Sequence, residues 1–118
     1  MSKILLVDDD ADMLAMVERW LVKGGYEVTK VTSGQAALDA MTAAKPDLVL
    51  LDYAMPEMDG PAVLKEIRGR EDLSGVPVLY RTGMEDTSFD ADGVSPDGIV
   101  PKSEGKPALM QAIEKALA

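Results

Sequence analysis

The sequence contains neither cysteine nor histidine among its 118 residues. The lack of cysteine excludes disulfides and thiol chemistry, and it is typical of a cytoplasmic protein. The lack of histidine removes the commonest general base and the commonest zinc ligand. Any metal ion must therefore be bound through oxygen atoms, which favours Mg²⁺, Mn²⁺ or Ca²⁺.

Long apolar runs are also missing, since none approaches the roughly 18 residues that a membrane helix needs. No signal-peptide pattern follows Met1. The 12 basic residues are outnumbered by 21 acidic ones, which gives a net charge of −9. Because affinity for nucleic acid depends on Lys and Arg, direct nucleic-acid binding is disfavoured. We expect one compact cytoplasmic domain over residues 1–118 that does not contact a membrane.

Short apolar runs alternate along the chain with segments of helical spacing. The runs lack polar alternation, which is typical of parallel strands buried on both faces. Right-handed crossovers then give a doubly wound α/β sheet, whose site lies beyond the carboxyl ends of the strands. We predict strands at 4–7, 26–31, 48–51, 76–80 and 99–100, and helices at 12–23, from the cap Ser33 to before Pro46, around 63–67, and after Pro107.

Chemically useful side chains follow the predicted strands. Three acids follow the first strand, Asp52 follows the third, Thr82 lies near the end of the fourth, and Lys102 follows the fifth. A parallel sheet brings these ends together, and the resulting repulsion between carboxylates requires a divalent cation or an ammonium group nearby. A carboxylate beside a metal, a lysine and a hydroxyl is suited to phosphoryl transfer, with the carboxylate as nucleophile.

In this order and spacing the motifs resemble the receiver domain of two-component response regulators from end to end. The matching signatures are Asp8-Asp9, Asp52 with Ala54, Met55-Pro56, Asp59-Gly60, Thr82-Gly83 and Lys102. The resemblance implies a flavodoxin-like, doubly wound sheet of five parallel strands in the order 2-1-3-4-5, with five helices.

The resemblance also implies the role of each site residue. Asp52 is then the phosphoacceptor, Asp9 a direct Mg²⁺ ligand, and Asp8 a ligand acting mainly through water. The backbone carbonyl of Ala54 is the third protein ligand, and Mn²⁺ can substitute for Mg²⁺. Thr82 and Lys102 contact the phosphoryl group.

Further implications concern partners. The resemblance implies a phospho-histidine donor, either a sensor histidine kinase or a histidine phosphotransfer protein. Phosphorylation would switch binding to an output protein that the sequence does not identify. We expect a monomeric signalling domain that promotes only its own phosphorylation and dephosphorylation. The sequence leaves open whether the receiver acts alone or belongs to a longer protein.

The sequence departs from the family pattern in three places. The order Pro101-Lys102-Ser103 replaces Lys-Pro, so no cis peptide is expected after Lys102. Ile99 stands where many receivers carry an aromatic switch residue, and Arg81 stands where an apolar residue is usual. By strand alternation Arg81 points away from Thr82. The stretch 84–98 has little apolar period, which predicts a short or irregular fourth helix and disfavours dimerisation through it.

Four alternative interpretations differ in how well the sequence supports them. Asp10 fits an N-cap better than a supporting metal role. The departures around Lys102 and in the fourth helix also suit a receiver-like interaction module that binds a partner without phosphorylation. An aspartate-nucleophile phosphatase would need a second Asp at the position of Ala54, and a flavin-binding protein would need a hydroxyl-rich loop after the first strand.

Overall fold

The computed structural model describes residues 2–55, 57–83 and 96–118. These ranges contain five strands and four helices, all joined into one α/β unit. The strands are β1 Lys3–Val7, β2 Glu27–Val31, β3 Leu48–Asp52, β4 Val78–Thr82 and β5 Gly98–Pro101. The helices are α1 Ala11–Lys23, α2 Gly34–Ala43, α3 Gly60–Gly69 and α4 Lys106–Leu117.

The five strands form one parallel sheet in the order β2-β1-β3-β4-β5, as predicted. The central strand β3 is buried along its whole length, which explains why its sequence shows no polar alternation. Of the five predicted helices, the fourth falls at 84–98, and most of that stretch lies outside the described residues.

Two apolar layers hold the helices against the sheet. On one face α2 and α3 cover alternate strand residues such as Leu5, Val49 and Tyr80. On the other face α1 and α4 cover the intervening residues, such as Leu6 and Leu50. Trp20 of α1 packs partly buried against this second layer.

Most predicted helix ends are confirmed. Ser33 caps α2 by accepting the Ala36 N–H at 3.1 Å. Gly24 caps the C-terminal end of α1, and Pro107 lies in the first turn of α4. None of the helices in the described ranges has the length and apolar character that a bilayer crossing requires.

The predicted bounds of the fourth strand were wrong by two residues. The strand was predicted at 76–80, but β4 begins at Val78 and continues to Thr82. Pro77 has no N–H for the ladder, and its carbonyl instead accepts the Val49 N–H at 2.9 Å. The strand continues because Arg81 pairs with Asp52 of β3, so a charged residue at this position belongs to the sheet.

Gly60 allows the loop after β3 to fold tightly onto the strand end. A Cβ at Gly60 would lie 3.0 Å from the Tyr53 Cα and 3.1 Å from the Asp52 carbonyl oxygen, both backbone atoms. The Gly60 N–H donates to the Tyr53 carbonyl at 2.8 Å. Asp59 caps the helix that begins here.

We therefore expect Gly60→Ala to destabilise the protein by about 1–3 kcal/mol, because the added methyl group must displace backbone. Gly69→Ala, at the other end of α3, is the matched control. A Cβ there meets nothing within 4 Å, and alanine favours the helix by up to about 1 kcal/mol. Urea denaturation measures both free energies of unfolding. Equal effects of the two substitutions would contradict the close approach at Gly60.

Candidate functional site

The loop after β1 is ordered by its own carboxylates. The Asp8 N–H donates to the Val31 carbonyl at 3.2 Å, which extends the pairing of β1 with β2. The Asp8 Oδ1 atom accepts the Asp10 N–H at 2.9 Å. Asp10 in turn caps α1 by accepting the N–H groups of Asp12 and Met13. The predicted capping role of Asp10 is confirmed, and the loop fixes where Asp8 stands.

Asp52 is the last residue of β3, and its side chain is almost completely buried. The next residue, Tyr53, donates its N–H to the Arg81 carbonyl at 2.8 Å, so the ladder between β3 and β4 continues past Asp52. The tight approach of Gly60 holds the loop on the other side. The carboxylate is therefore fixed at the carboxyl edge of the sheet.

Lys102 brings an ammonium group to this edge from the turn after β5. The backbone N–H of Lys102 donates to the Thr82 carbonyl at 2.6 Å. Its Nζ atom lies 3.0 Å from the Asp52 Oδ1 and 3.8 Å from the Asp8 Oδ2. The described residues contain no cis peptide bond, as the order Pro101-Lys102-Ser103 predicts. The departure from the family order thus leaves the ammonium within reach of the acids.

Asp8, Asp9 and Asp52 each place a carboxylate oxygen within 4.8 Å of the others. Asp8 and Asp52 are buried and Asp9 is exposed. The atoms of these residues that could bind a metal are carboxylate oxygens, which are hard ligands. Among the described residues, Lys102 is the one ammonium group that forms ion pairs with these carboxylates. Three carboxylates at this spacing fit a hard divalent cation such as Mg²⁺, and we call them the acidic pocket.

The pKa of Asp52 reflects the charges in and around the acidic pocket. Burial raises the pKa of Asp52 to about 6, from the ordinary value of 3.8. The hydrogen bond from Lys102 lowers this pKa, while the negative charge of Asp8 raises it. The effects that raise the pKa together exceed those that lower it, so the structure resists a negative charge at Asp52 when no cation is bound.

The remaining predicted site residues lie around the acidic pocket. Thr82 ends β4 and is buried, and its carbonyl accepts from Lys102. Ala54 is an exposed loop residue two positions after Asp52. The contact of Thr82 with a phosphoryl group and the binding of a metal by the Ala54 carbonyl stay predictions.

Arg81 has a closer relation to the site than sequence reasoning assigned to it. It is 3% exposed and pairs in register with Asp52. Alternation along β4 directs it away from Thr82, as predicted, and this places it on the face of the sheet where Asp52 stands. The identity of its acidic neighbours depends on strand register, which the order of motifs along the chain does not give.

Known proteins are similar to this chain in sequence and fold. The chain matches the response regulator receiver domain family over residues 4–114. It is 34% identical over 116 residues to the chemotaxis protein CheY of Bacillus subtilis, with 98% of this chain and 97% of that protein covered. It is 39% identical over 85 residues to the transcriptional regulatory protein PrrA of Mycobacterium tuberculosis, covering 71% of this chain but 36% of that protein.

A solved structure adds a similar fold. The receiver domain of the sensor histidine kinase PA1611 from Pseudomonas aeruginosa superposes with a TM-score of 0.88 at 25% identity, covering 98% of this chain and 97% of that one. That structure has a magnesium ion coordinated in its active site cleft.

The raised pKa of Asp52 predicts how stability depends on pH when metal is chelated. Between about pH 4 and pH 6 the folded state keeps a proton that the unfolded state has released, so stability falls as pH rises through this range. At pH 7 the loss attributable to Asp52 is at most about 3 kcal/mol. Asp52→Asn removes this loss.

We expect the free energy of unfolding of Asp52→Asn, relative to wild type, to increase from about pH 4 to about pH 7. Urea denaturation in the presence of a chelator measures it. Asp72→Asn, an exposed site, controls for the loss of one negative charge. A difference between Asp52→Asn and wild type that stays constant across this range would contradict the pKa assignment.

Proposed function

This chain belongs to the response regulator receiver domain family, and we propose that Asp52 is the residue at which it accepts a phosphoryl group. A receiver domain is a phosphoacceptor signalling domain, and the family implies a histidine kinase as partner. The proposal for Asp52 is supported by one observation above all. The buried Asp52 carboxylate has an oxygen within 4.8 Å of oxygens of Asp8 and Asp9, and the Lys102 ammonium lies 3.0 Å from it.

The acidic pocket is the proposed metal site. Asp9 and Asp52 would hold Mg²⁺ directly, Asp8 mainly through water, and the Ala54 carbonyl would complete the protein ligands. Mn²⁺ would substitute, because it also prefers oxygen ligands. When bound, the cation supplies positive charge that offsets the carboxylates and the oxygens of the transferred group. The magnesium ion in the related receiver of PA1611 supports this assignment.

Asp52 acts as the nucleophile in the proposed reaction. One carboxylate oxygen forms a bond to phosphorus, the bond between phosphorus and the donor histidine nitrogen breaks, and that nitrogen keeps the electron pair. Lys102 would neutralise charge on the phosphoryl oxygens, and the Thr82 hydroxyl would donate to one of them. Because Asp52 must be unprotonated to attack, cations around it favour the reactive form.

The signalling context follows from the family. A sensor histidine kinase or a histidine phosphotransfer protein would donate the phosphoryl group, and phosphorylation would change binding to an output protein. We further propose a cytoplasmic, monomeric receiver domain spanning residues 1–118 that contacts neither nucleic acid nor membrane. The net charge of −9 supports the lack of nucleic-acid binding.

Phosphorylation at Asp52 is tested with a small phospho-donor such as acetyl phosphate in the presence of Mg²⁺. We expect wild type to gain the mass of one phosphoryl group in intact mass spectrometry. Asp52→Asn should gain none, because an amide does not replace the carboxylate as nucleophile. Asp47→Asn, at an exposed acid outside the acidic pocket, is the matched control. An unmodified wild type, or equal modification of wild type and Asp52→Asn, would contradict the proposal.

The proposed metal site gives different roles to two neighbouring acids, since Asp9 would bind the metal and Asp10 caps a helix. We expect Asp9→Asn to weaken Mg²⁺ binding by about tenfold or more, since even the outer partners of a metal site are worth about 10–100-fold. Asp10→Asn should bind Mg²⁺ as wild type does, because asparagine caps a helix about as well as aspartate. Isothermal titration calorimetry measures both affinities. The assignment fails if the two variants lose affinity equally.

A further inference from the structure

Arg81 is a positively charged residue beside the acidic pocket. The register pairs Asp52 of β3 with Arg81 of β4. The pairing of Val7 with Leu51 places Asp8, the next residue, beside Asp52. In adjacent parallel strands, paired residues point to the same face. Asp8, Asp52 and Arg81 therefore stand side by side on three neighbouring strands.

This row lies on the buried face of the sheet that packs against α1 and α4. Leu79, two residues before Arg81, and Val100, its register partner in β5, belong to the apolar layer under these helices. Arg81 is 3% exposed. Arg81 is thus flanked by the apolar Val100 on β5 and by the buried Asp52 on β3, with the buried Asp8 beyond Asp52.

Hydrogen bonds within the described residues do not compensate the burial of the Arg81 side chain. Its Nε and Nη1 atoms are buried and have no hydrogen-bond partner among the described residues. Unpaired buried donors are unfavourable. Burial lowers the pKa of Arg81, and the negative charges of Asp8 and Asp52 oppose that shift. Since a guanidinium stays charged in proteins, Arg81 is compensated mainly by these two carboxylates.

We propose that Arg81 is a permanent counter-ion of the acidic pocket that competes with the divalent cation. The inference rests on the proposed metal site. With Arg81 and Lys102 opposite three carboxylates, the site has a formal charge of −1, and without Arg81 it has −2. The more negative site attracts Mg²⁺ more strongly. Arg81 therefore weakens cation binding and stabilises the metal-free site.

This role predicts that neutral substitutions strengthen Mg²⁺ binding. We expect Arg81→Met to bind Mg²⁺ roughly tenfold more tightly than wild type in calorimetry, given the charge separation and a partly screened interior. Arg81→Gln, which is neutral but polar, should give the same direction. Arg81→Lys keeps the charge and should bind as wild type does, within about threefold.

Arg70→Met is the matched control, because it also removes one positive charge but from the partly exposed end of α3. We expect it to leave Mg²⁺ affinity unchanged. A second readout is the rise in melting temperature on adding Mg²⁺, which should be larger for Arg81→Met than for wild type. A purely structural role of Arg81 would shift the melting temperature with and without Mg²⁺ equally.

The outcomes distinguish this inference from the proposed metal site. Equal Mg²⁺ affinity in wild type, Arg81→Met and Arg81→Gln would overturn the role of Arg81 and leave the metal site standing. A gain in affinity for Arg81→Lys as large as that for Arg81→Met would also overturn it, because charge would not be the cause. If no variant and no wild type binds Mg²⁺, the metal site and the role of Arg81 both fail.

Discussion

Repulsion between two buried carboxylates is the constraint on which the rest of this site depends. Asp8 and Asp52 end neighbouring parallel strands, and the same fold that buries them prevents water from separating their charges. Lys102 reaches both acids from the turn after β5. Burial, with a smaller contribution from the charge of Asp8, still raises the pKa of Asp52 to about 6, so the nearby cationic side chains do not fully offset the cost of a negative charge there. Binding of a cation, of a proton or of a transferred group at Asp52 therefore changes how well the site stabilises the charge there.

The fold makes this constraint rigid. The strand order places β1 and β3 side by side and puts β4 and β5 next to them, so every strand end can contribute to one edge. Both faces of β3 are covered by apolar layers, and Asp52 cannot move toward solvent without breaking the ladder that continues into Tyr53. A change of charge at Asp52 must instead be accommodated by the loops and side chains around it. Such a coupling is what a phosphoacceptor signalling domain requires.

Much of this could be predicted from the sequence, because the apolar runs and the residues that end them are local features. The parallel sheet, the capping role of Asp10 and the gathering of Asp8, Asp9 and Asp52 all follow from such patterns. The bounds of β4 were predicted two residues too early, because Val76 and Pro77 continue the apolar run in the sequence, whereas the residues that pair with β3 and β5 are Val78 to Thr82. The position of Arg81 beside Asp52 depends on register between strands about thirty residues apart, which local pattern does not contain.

The most direct test of this account is the pKa of Asp52 itself, measured from its carboxyl carbon by NMR with and without Mg²⁺. We expect an apparent pKa of about 6 in the metal-free protein. With saturating Mg²⁺ the same group should titrate at much lower pH, because a bound cation favours the charged carboxylate. A pKa near the ordinary 3.8 in both conditions would show that burial and the neighbouring Asp8 do not oppose a negative charge at Asp52, which would contradict this description of the site.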